Sequence, residues 1–339
     1  MAPFFCAAVS FLMLLSPTEM MGAVDPDGAV GNKPEIRVVA RIWDTGGHNA
    51  FTDLLRFDGR WLCVFREAEA HVYGRDGQIR VICSKDGETW ESAAILGEKG
   101  VDLRDPKISL APDGRLMIVM GGSVYDGRTL VTRQSRVAFS SDGRSWSQPQ
   151  KVLSAGEWLW RVTWRGNEGF GVAYGGPSGS GESPLRLYRT ENGSGYELVT
   201  PLEVQGAPNE TTLRFAADGQ MIALVRREAG DTRAWIGSSS PPFTRWQWRQ
   251  TQHQIGGPNF VVLPDGQMWA AGRSYTGGAK TAVGRLTKGG YEPMLTVPSG
   301  GDTSYPGLAW HDGLLWMSYY SSHEGKAAIY LAKIALAAD

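Results

Sequence analysis

Short apolar runs alternate with turn signals along most of the chain, and one unit returns six times. Each unit reads as a short strand, an Asp-Gly turn, a second apolar strand, then a third and a fourth joined by a looser turn. The innermost turns are Asp58-Gly59, Asp113-Gly114, a degenerate Gly166-Asn167, Asp218-Gly219, Asp265-Gly266 and Asp312-Gly313, spaced 55, 53, 52, 47 and 47 residues apart. Glycine takes positive φ there without a Cβ clash, which makes Asp-Gly between apolar runs a hairpin signal. Six in register predict an all-β fold, a six-bladed β-propeller of four-stranded antiparallel blades. The last unit, residues 305–338, supplies only three strands, and Glu35–Trp43 is expected to close the ring as the missing outermost strand.

The outer turns repeat as well. Ser84-Lys85-Asp86-Gly87-Glu88-Thr89-Trp90 and Ser140-Ser141-Asp142-Gly143-Arg144-Ser145-Trp146 share the pattern S-x-D-G-x-x-W, and Thr190-Glu191-Asn192-Gly193-Ser194-Gly195-Tyr196 is a degenerate third copy. The hydroxyl and carboxylate can tie the turn's own backbone N–H groups, while the aromatic residue folds under the hairpin. These turns are read as structural.

Composition narrows the picture further. The 44 Gly and 18 Pro exclude long helices, and 13 Trp, 11 Tyr and 11 Phe exclude a disordered chain. A net charge of -1 gives no global field toward nucleic acid or an anionic membrane surface, so any basic site is local. Cys6, Cys63 and Cys83, with no CxxC and no His cluster at ligand spacing, predict no metal site and no cofactor. Residues 1–23, with apolar Phe4 to Leu15 and then Gly22-Ala23, read as a signal peptide, a misplaced start codon being the competing reading. Residues 24–34 follow as a linker, and 35–339 form a single propeller domain, expected as an exported monomer, periplasmic or secreted, without membrane insertion. Cys63 and Cys83 fall on neighbouring strands, as two buried thiols or as a cross-strand disulfide.

The turns also act as a ruler. In a propeller, residues before the first strand and after the second of each blade meet on one rim. Eight residues after the turn Asp lie Arg66, Arg226 and Arg273, with Gly121 and Tyr320 at that offset in the second and sixth units. Seven or eight residues before it lie Asp105, Glu210 and Tyr305, with Asn49, Arg104, Asn209 and Asn259 close by. One arginine alone reads best as a rim salt bridge. Three at one offset repel one another without a ligand and point to an anion site, most simply for a carboxylate.

These residues and turns resemble the sialidase (neuraminidase) superfamily of retaining exo-glycosidases, over roughly residues 35 to 337. The S-x-D-G-x-x-W turns resemble its Asp-boxes (BNR repeats). Asn209-Glu210 through Arg226 resembles the stretch bearing its catalytic Glu and a carboxylate-binding Arg, Gly300 to Leu308 the strand bearing its tyrosine nucleophile, and Arg273 another triad Arg. The resemblance implies Tyr305 as nucleophile, Glu210 as its base, and an acid/base on the loop from Glu67 to Gly77. Asp76 is taken for that role, with Glu67, Glu69 and His71 as alternatives and an ordinary Asp-Gly turn as its competing explanation. The family's Arg-Ile-Pro motif is absent, the segment reading His48-Asn49-Ala50-Phe51, and Arg66 is expected to replace the missing arginine beside Arg226 and Arg273. Arg104, Asp105 and Asn49 are expected to contact the sugar, and Trp158 to Arg161 can floor its pocket.

The implied activity is hydrolysis of a terminal sialic or related ulosonic acid from a glycan. A neutral phenol suits a substrate whose anomeric carbon carries a carboxylate, because an Asp or Glu nucleophile would meet like charge. The competing classes are a non-catalytic carbohydrate-binding propeller and a hydrolase or lyase acting on other acidic sugars.

Overall fold

The computed structural model describes residues 33–176 and 184–336, together with Met1. The expected leader, Cys6 and most of the 24–34 linker lie outside the described residues. Residues Glu35–Trp43 form β1, which belongs to the last blade. Blade 1 is β2 (His48–Phe57), β3 (Arg60–Ala68), β4 (Gln78–Ser84) and β5 (Glu91–Leu96). Blade 2 is β6 (Asp102–Leu110), β7 (Leu116–Asp126), β8 (Thr129–Ser140) and β9 (Gln150–Val152). Blade 3 is β10 (Glu157–Arg165), β11 (Glu168–Gly175), β12 (Leu185–Thr190) and β13 (Glu197–Leu202). Blade 4 is β14 (Pro208–Phe215), β15 (Met221–Arg227), β16 (Trp235–Ser239) and β17 (Gln247–Gln250). Blade 5 is β18 (Gly256–Val262), β19 (Met268–Ser274), β20 (Lys280–Thr287) and β21 (Gly290–Thr296). Blade 6 joins β22 (Thr303–His311), β23 (Leu314–Ser321) and β24 (Ala328–Ala335) to β1, which runs antiparallel to β24 from Glu35↔Ala335 to Trp43↔Ile329. The ring therefore closes as the strand count requires. Among the described residues no helix is long and apolar enough to cross a membrane.

The core is a set of layers between consecutive blades. Successive side chains on a strand point to opposite faces, so each blade feeds both of its neighbours. On β15, Ile222 and Leu224 pack with Phe260 and Ala270 of blade 5, whereas Met221, Ala223 and Val225 pack with Phe170 and Val172 of blade 3. The same alternation separates the cysteines. Cys63 stands opposite Ile82 and Cys83 opposite Leu62, so the two thiols lie on opposite faces, both buried and free.

The outer turns are held by their own side chains. Ser140 Oγ accepts from Gly143 N at 2.8 Å, and Asp142 Oδ1 accepts from Arg144 N and Ser145 N at 2.8 and 2.7 Å. Ser84 and Asp86 repeat this, as do Thr190 and Asn192.

Every innermost strand carries one β-bulge near its start, between Ala50 and Asp53, Arg104 and Lys107, Leu159 and Val162, Pro208 and Thr211, Gly256 and Asn259, and Ser304 and Gly307. A bulge twists the strand and re-aims the side chains beside it. Phe51, Asp105, Gly257 and Tyr305 sit in these bulges at φ of 64°, 51°, 58° and 53°. Three of the four carry a Cβ, and a non-glycine residue held at such φ is a strained position that the surrounding fold must enforce.

Candidate active site

The bulges set Phe51, Asp105, Trp160, Asn209, Gly257 and Tyr305 at equivalent positions of the six blades, with Glu210 beside Asn209. There the Tyr305 hydroxyl donates to Glu210 Oε1 at 2.6 Å. Arg226 Nη1 donates to Glu210 Oε2 at 2.7 Å and to the Tyr305 hydroxyl at 3.0 Å, and the Gly257 N–H donates to Glu210 Oε2 at 3.0 Å. A Cβ on Gly257 would stand 2.8 Å from the Tyr305 ring, so glycine alone allows this approach. Burial, and next the Glu210 carboxylate, push the Tyr305 phenol well above its ordinary pKa, with Arg226 working the other way. The phenol is neutral, and its proton already lies on the path to a carboxylate.

Trp160 packs edge-on against Tyr305 with centroids 5.7 Å apart, and Phe51 does so from another side at 5.0 Å. Beneath them Lys107 Nζ lies 4.6 Å from the Trp160 ring centroid and 5.8 Å from that of Tyr305, and burial pushes its ammonium down to about 8. Asp53, also buried, accepts from Arg161 Nη1 at 2.6 Å and from Ile108 N at 2.9 Å. Of the Trp158 to Arg161 segment, Trp160 thus lies against the phenol, while Trp158 sits against Gly121 of the neighbouring blade.

Two of the three offset-matched arginines reach Tyr305. Arg226 bonds its hydroxyl, and the Arg273 guanidinium stands 5.7 Å from its ring centroid. Arg226 is also paired with Glu228, and Arg273 donates to Thr303 O at 2.8 Å and to the Tyr320 hydroxyl at 3.1 Å. Arg66 makes no contact with the phenol. It is fully buried, with Nε on Asp102 Oδ1 and Nη1 on Ala70 O, both at 2.8 Å, and with Nη2 unpartnered. The offset itself holds, since Arg66 and Arg273 each lean toward the following blade. Each meets the aspartate three residues before that blade's bulge residue, Asp102 at 2.8 Å and Asp302 at 3.6 Å. A shared offset fixes height and direction but leaves the counter-ion to the neighbouring blade.

The remaining candidates divide in the same manner. Asp105 is half-buried and accepts no hydrogen bond from the described residues, and burial raises its carboxyl against the pull of Arg104 and Lys107. Arg104 Nη1 donates to His71 O at 2.9 Å and to Asp102 Oδ2 at 3.0 Å, with its guanidinium over the Phe51 ring. Asn49 is fully buried and its amide is held by the Gly46 and Ala327 backbone, so it ties a loop down instead of lining the mouth. On the 67–77 loop, Glu67 is bound to Arg80 at 2.6 Å and Glu69 to Arg75 at 2.5 Å. Asp76 is exposed and has no hydrogen-bond or ion-pair partner among the described residues.

Sequence spacing missed Asp302. Its Oδ2 accepts from His48 Nε2 at 2.9 Å and His71 Nδ1 at 2.7 Å, and its Oδ1 from the Tyr320 hydroxyl at 2.6 Å. Burial pushes this carboxyl upward, but the three hydrogen bonds prevail and hold it far below the usual carboxylate range. His48, His71 and Asp302 also bring three ligand-type atoms within 4.8 Å of one another, which no local spacing announced. The available signal was register, since Asp302 precedes its bulge residue by the same three positions as Asp102.

No family model matches the chain, and no curated protein matches its sequence. Solved structures match it in fold. A protein of unknown function from Dyadobacter fermentans aligns with TM-score 0.78 at 17 % identity, over 90 % of this chain and 99 % of that one. An α-L-arabinofuranosidase from Fusarium graminearum aligns with TM-score 0.70 at 14 % identity, over 87 % and 96 %. Trypanosoma rangeli sialidase in complex with sialic acid aligns with TM-score 0.66 at 12 % identity, over 88 % of this chain and 57 % of that one. The chain is a six-bladed propeller whose structural neighbours include glycosidases, and at these identities the likeness is one of fold.

Proposed function

We propose that this protein is an exported retaining exo-glycosidase that removes a terminal sialic or related ulosonic acid through a tyrosine nucleophile. The observation that carries the reading is the 2.6 Å bond from the Tyr305 hydroxyl to Glu210, bridged by Arg226. A site built only to bind has no need to pair a buried phenol with a base. As the Tyr305 oxygen bonds to the anomeric carbon, its proton passes to Glu210 Oε1 and the glycosidic bond breaks. The leaving oxygen takes a proton from a side chain of the 69–77 loop. Water then attacks the same carbon, giving a proton back to that loop side chain, and the phenol leaves with its proton restored from Glu210. Arg226, on the phenol oxygen, and Arg273, beside its ring, receive the substrate carboxylate, and Arg104 with Asp105 faces its other substituents.

Asp105 favours one alternative. It is an unbonded carboxylate raised by burial, and Glu210 raises it further. Two carboxyls of unlike environment also describe a retaining site for a neutral sugar, with Glu210 as nucleophile and Asp105 as acid, and one structural neighbour is an α-L-arabinofuranosidase. Fluorogenic aryl glycosides of sialic acid, of other ulosonic acids and of α-L-arabinofuranose, assayed with wild type, Tyr305→Phe and Glu210→Gln, separate the two. Turnover of an acidic sugar abolished by Tyr305→Phe supports the first reading. Turnover of the arabinoside that survives Tyr305→Phe replaces it, and no turnover of any leaves a binding propeller.

A further inference from the structure

Tyr305 and Glu210 account for attack on the anomeric carbon, but neither can protonate the departing oxygen while one is bonding to carbon and the other is taking the phenol's proton. Of the loop carboxyls, Glu67 and Glu69 are tied to arginines. His71 is placed differently. Its Nδ1 meets Asp302 Oδ2 at 2.7 Å, from 231 residues away. A carboxylate can only accept, so Nδ1 carries the hydrogen and Nε2 is left for another partner. Its backbone oxygen is held by Arg104, and its ring stands edge-on to Phe51 at 5.3 Å, which itself packs on Tyr305 at 5.0 Å. The side chain is nevertheless 49 % exposed, so a ligand entering the mouth can reach it.

Asp302 is fixed in turn by the Tyr320 hydroxyl and by Arg273, so the imidazole inherits its orientation from the strand that bears Tyr305. His48 donates to the same oxygen but is buried, and burial first of all lowers its affinity for a proton. A carboxylate, an imidazole held by it at Nδ1 and an Nε2 with no hydrogen-bond partner among the described residues are what a proton shuttle requires.

We propose that His71 is the proton-transfer group of this site and Asp302 its positioning residue, an inference that rests on the tyrosine-nucleophile reading. In the first half-reaction the imidazolium Nε2–H passes its proton to the glycosidic oxygen as the bond to the anomeric carbon breaks and the Tyr305 oxygen bonds to that carbon. In the second, neutral Nε2 takes a proton from water as the water oxygen attacks the anomeric carbon and the phenol leaves. The imidazolium is then restored.

His71→Gln, Asp76→Asn and Asp105→Asn are compared on the 4-methylumbelliferyl glycoside and on an unactivated alkyl glycoside of whichever sugar the wild type cleaves, with and without azide. We expect His71→Gln to lose about 10²–10⁴-fold on the alkyl glycoside. The loss on the aryl glycoside should be much smaller, and azide should restore that turnover as the glycosyl azide. An equal loss on both without rescue, or this signature appearing in Asp76→Asn or Asp105→Asn instead, overturns the proposal while leaving Tyr305 in place. A wild type that cleaves none of the glycosides removes the tyrosine reading and the transfer role together. Imidazole ¹⁵N spectra check the positioning without turnover. The neutral His71 should be the Nδ1–H tautomer in wild type and a mixture in Asp302→Asn, and an Nε2–H tautomer in wild type overturns the proposal. So does zinc retained one to one after dialysis and lost in His71→Gln, which would make the cluster a cation site.

Discussion

The Tyr305 hydroxyl donates to Glu210 Oε1 at 2.6 Å, while Arg226 Nη1 lies 3.0 Å from that hydroxyl and 2.7 Å from the other Glu210 oxygen. Glu210 is therefore held by a cation and by the Gly257 N–H whether or not the phenol is present. Tyr305→Phe removes one buried hydroxyl and leaves Glu210 paired. It should cost about 1.5–3 kcal/mol, the range for losing a hydrogen bond to a charged group. Turnover of the aryl glycoside should fall by roughly three orders of magnitude or more, because in the proposed reaction Tyr305 is the group that attacks the anomeric carbon. Melting curves beside single-turnover kinetics test this, and an unchanged kcat would remove Tyr305 from the reaction.

Gly257 is the floor beneath that phenol. Its φ is +58°, and an added Cβ would sit 2.8 Å from two atoms of the Tyr305 ring. Gly257→Ala should cost about 1–3 kcal/mol through overpacking. Because the ring must move off Glu210, kcat should drop more than KM rises. The variant's urea midpoint and its two kinetic constants decide. A stability loss with normal kcat would mean that the ring absorbs the methyl group without leaving its base.

Arg66 and Arg273 share a register but are expected to fail differently when removed. The Arg66–Asp102 pair is buried, with side chains 1 % and 4 % exposed, and breaking it leaves Asp102 with Arg104 as its one remaining guanidinium partner among the described residues. Arg66→Ala should cost about 1.5–3 kcal/mol, the range for losing a hydrogen bond to a charged group. Arg273→Ala, at a partly open site, should instead raise KM for an acidic glycoside while the fold survives. Denaturation midpoints and KM values for both variants check the contrast. An Arg66→Ala protein as stable as wild type, with weakened binding, would return Arg66 to the clamp.

The elements and their order were legible because each rests on a local pattern. Asp58-Gly59 or Asp265-Gly266 needs only its flanking apolar runs to read as a hairpin, and β1 was identified by the strand that residues 305–338 lack. Tyr305 and Glu210 met as expected because a hairpin offset converts directly into height on a blade. What stayed hidden depends on groups contributed by another blade. Asp102 lies 36 residues from Arg66 and neutralises it, while Asp302 gathers two histidines from the opposite end of the chain. Asn49 shows the other limit, since its position was anticipated but its amide is taken up by backbone oxygens that no side-chain pattern records.

The outer turns make the acid limit of the fold predictable. Backbone N–H donors, Glu88 then Thr89 for Asp86, and Ser145 then Arg144 for Asp142, pull both carboxyls down to about 2. Unfolded, the same groups titrate near 3.9. A carboxyl depressed in the folded state stabilises the fold above its unfolded value and ceases to do so as pH falls through the folded one. These two turns should therefore lose their contribution progressively from about pH 4 to pH 2. The third turn already carries Asn192, whose amide oxygen accepts from Ser194 N and Gly195 N at 2.8 and 2.9 Å without titrating. Asp86→Asn with Asp142→Asn should then keep the turns folded while flattening the fall of the urea midpoint between pH 4 and pH 2. If the double variant loses stability with pH as steeply as wild type, the acid sensitivity lies in other carboxylates and the turns do not set it.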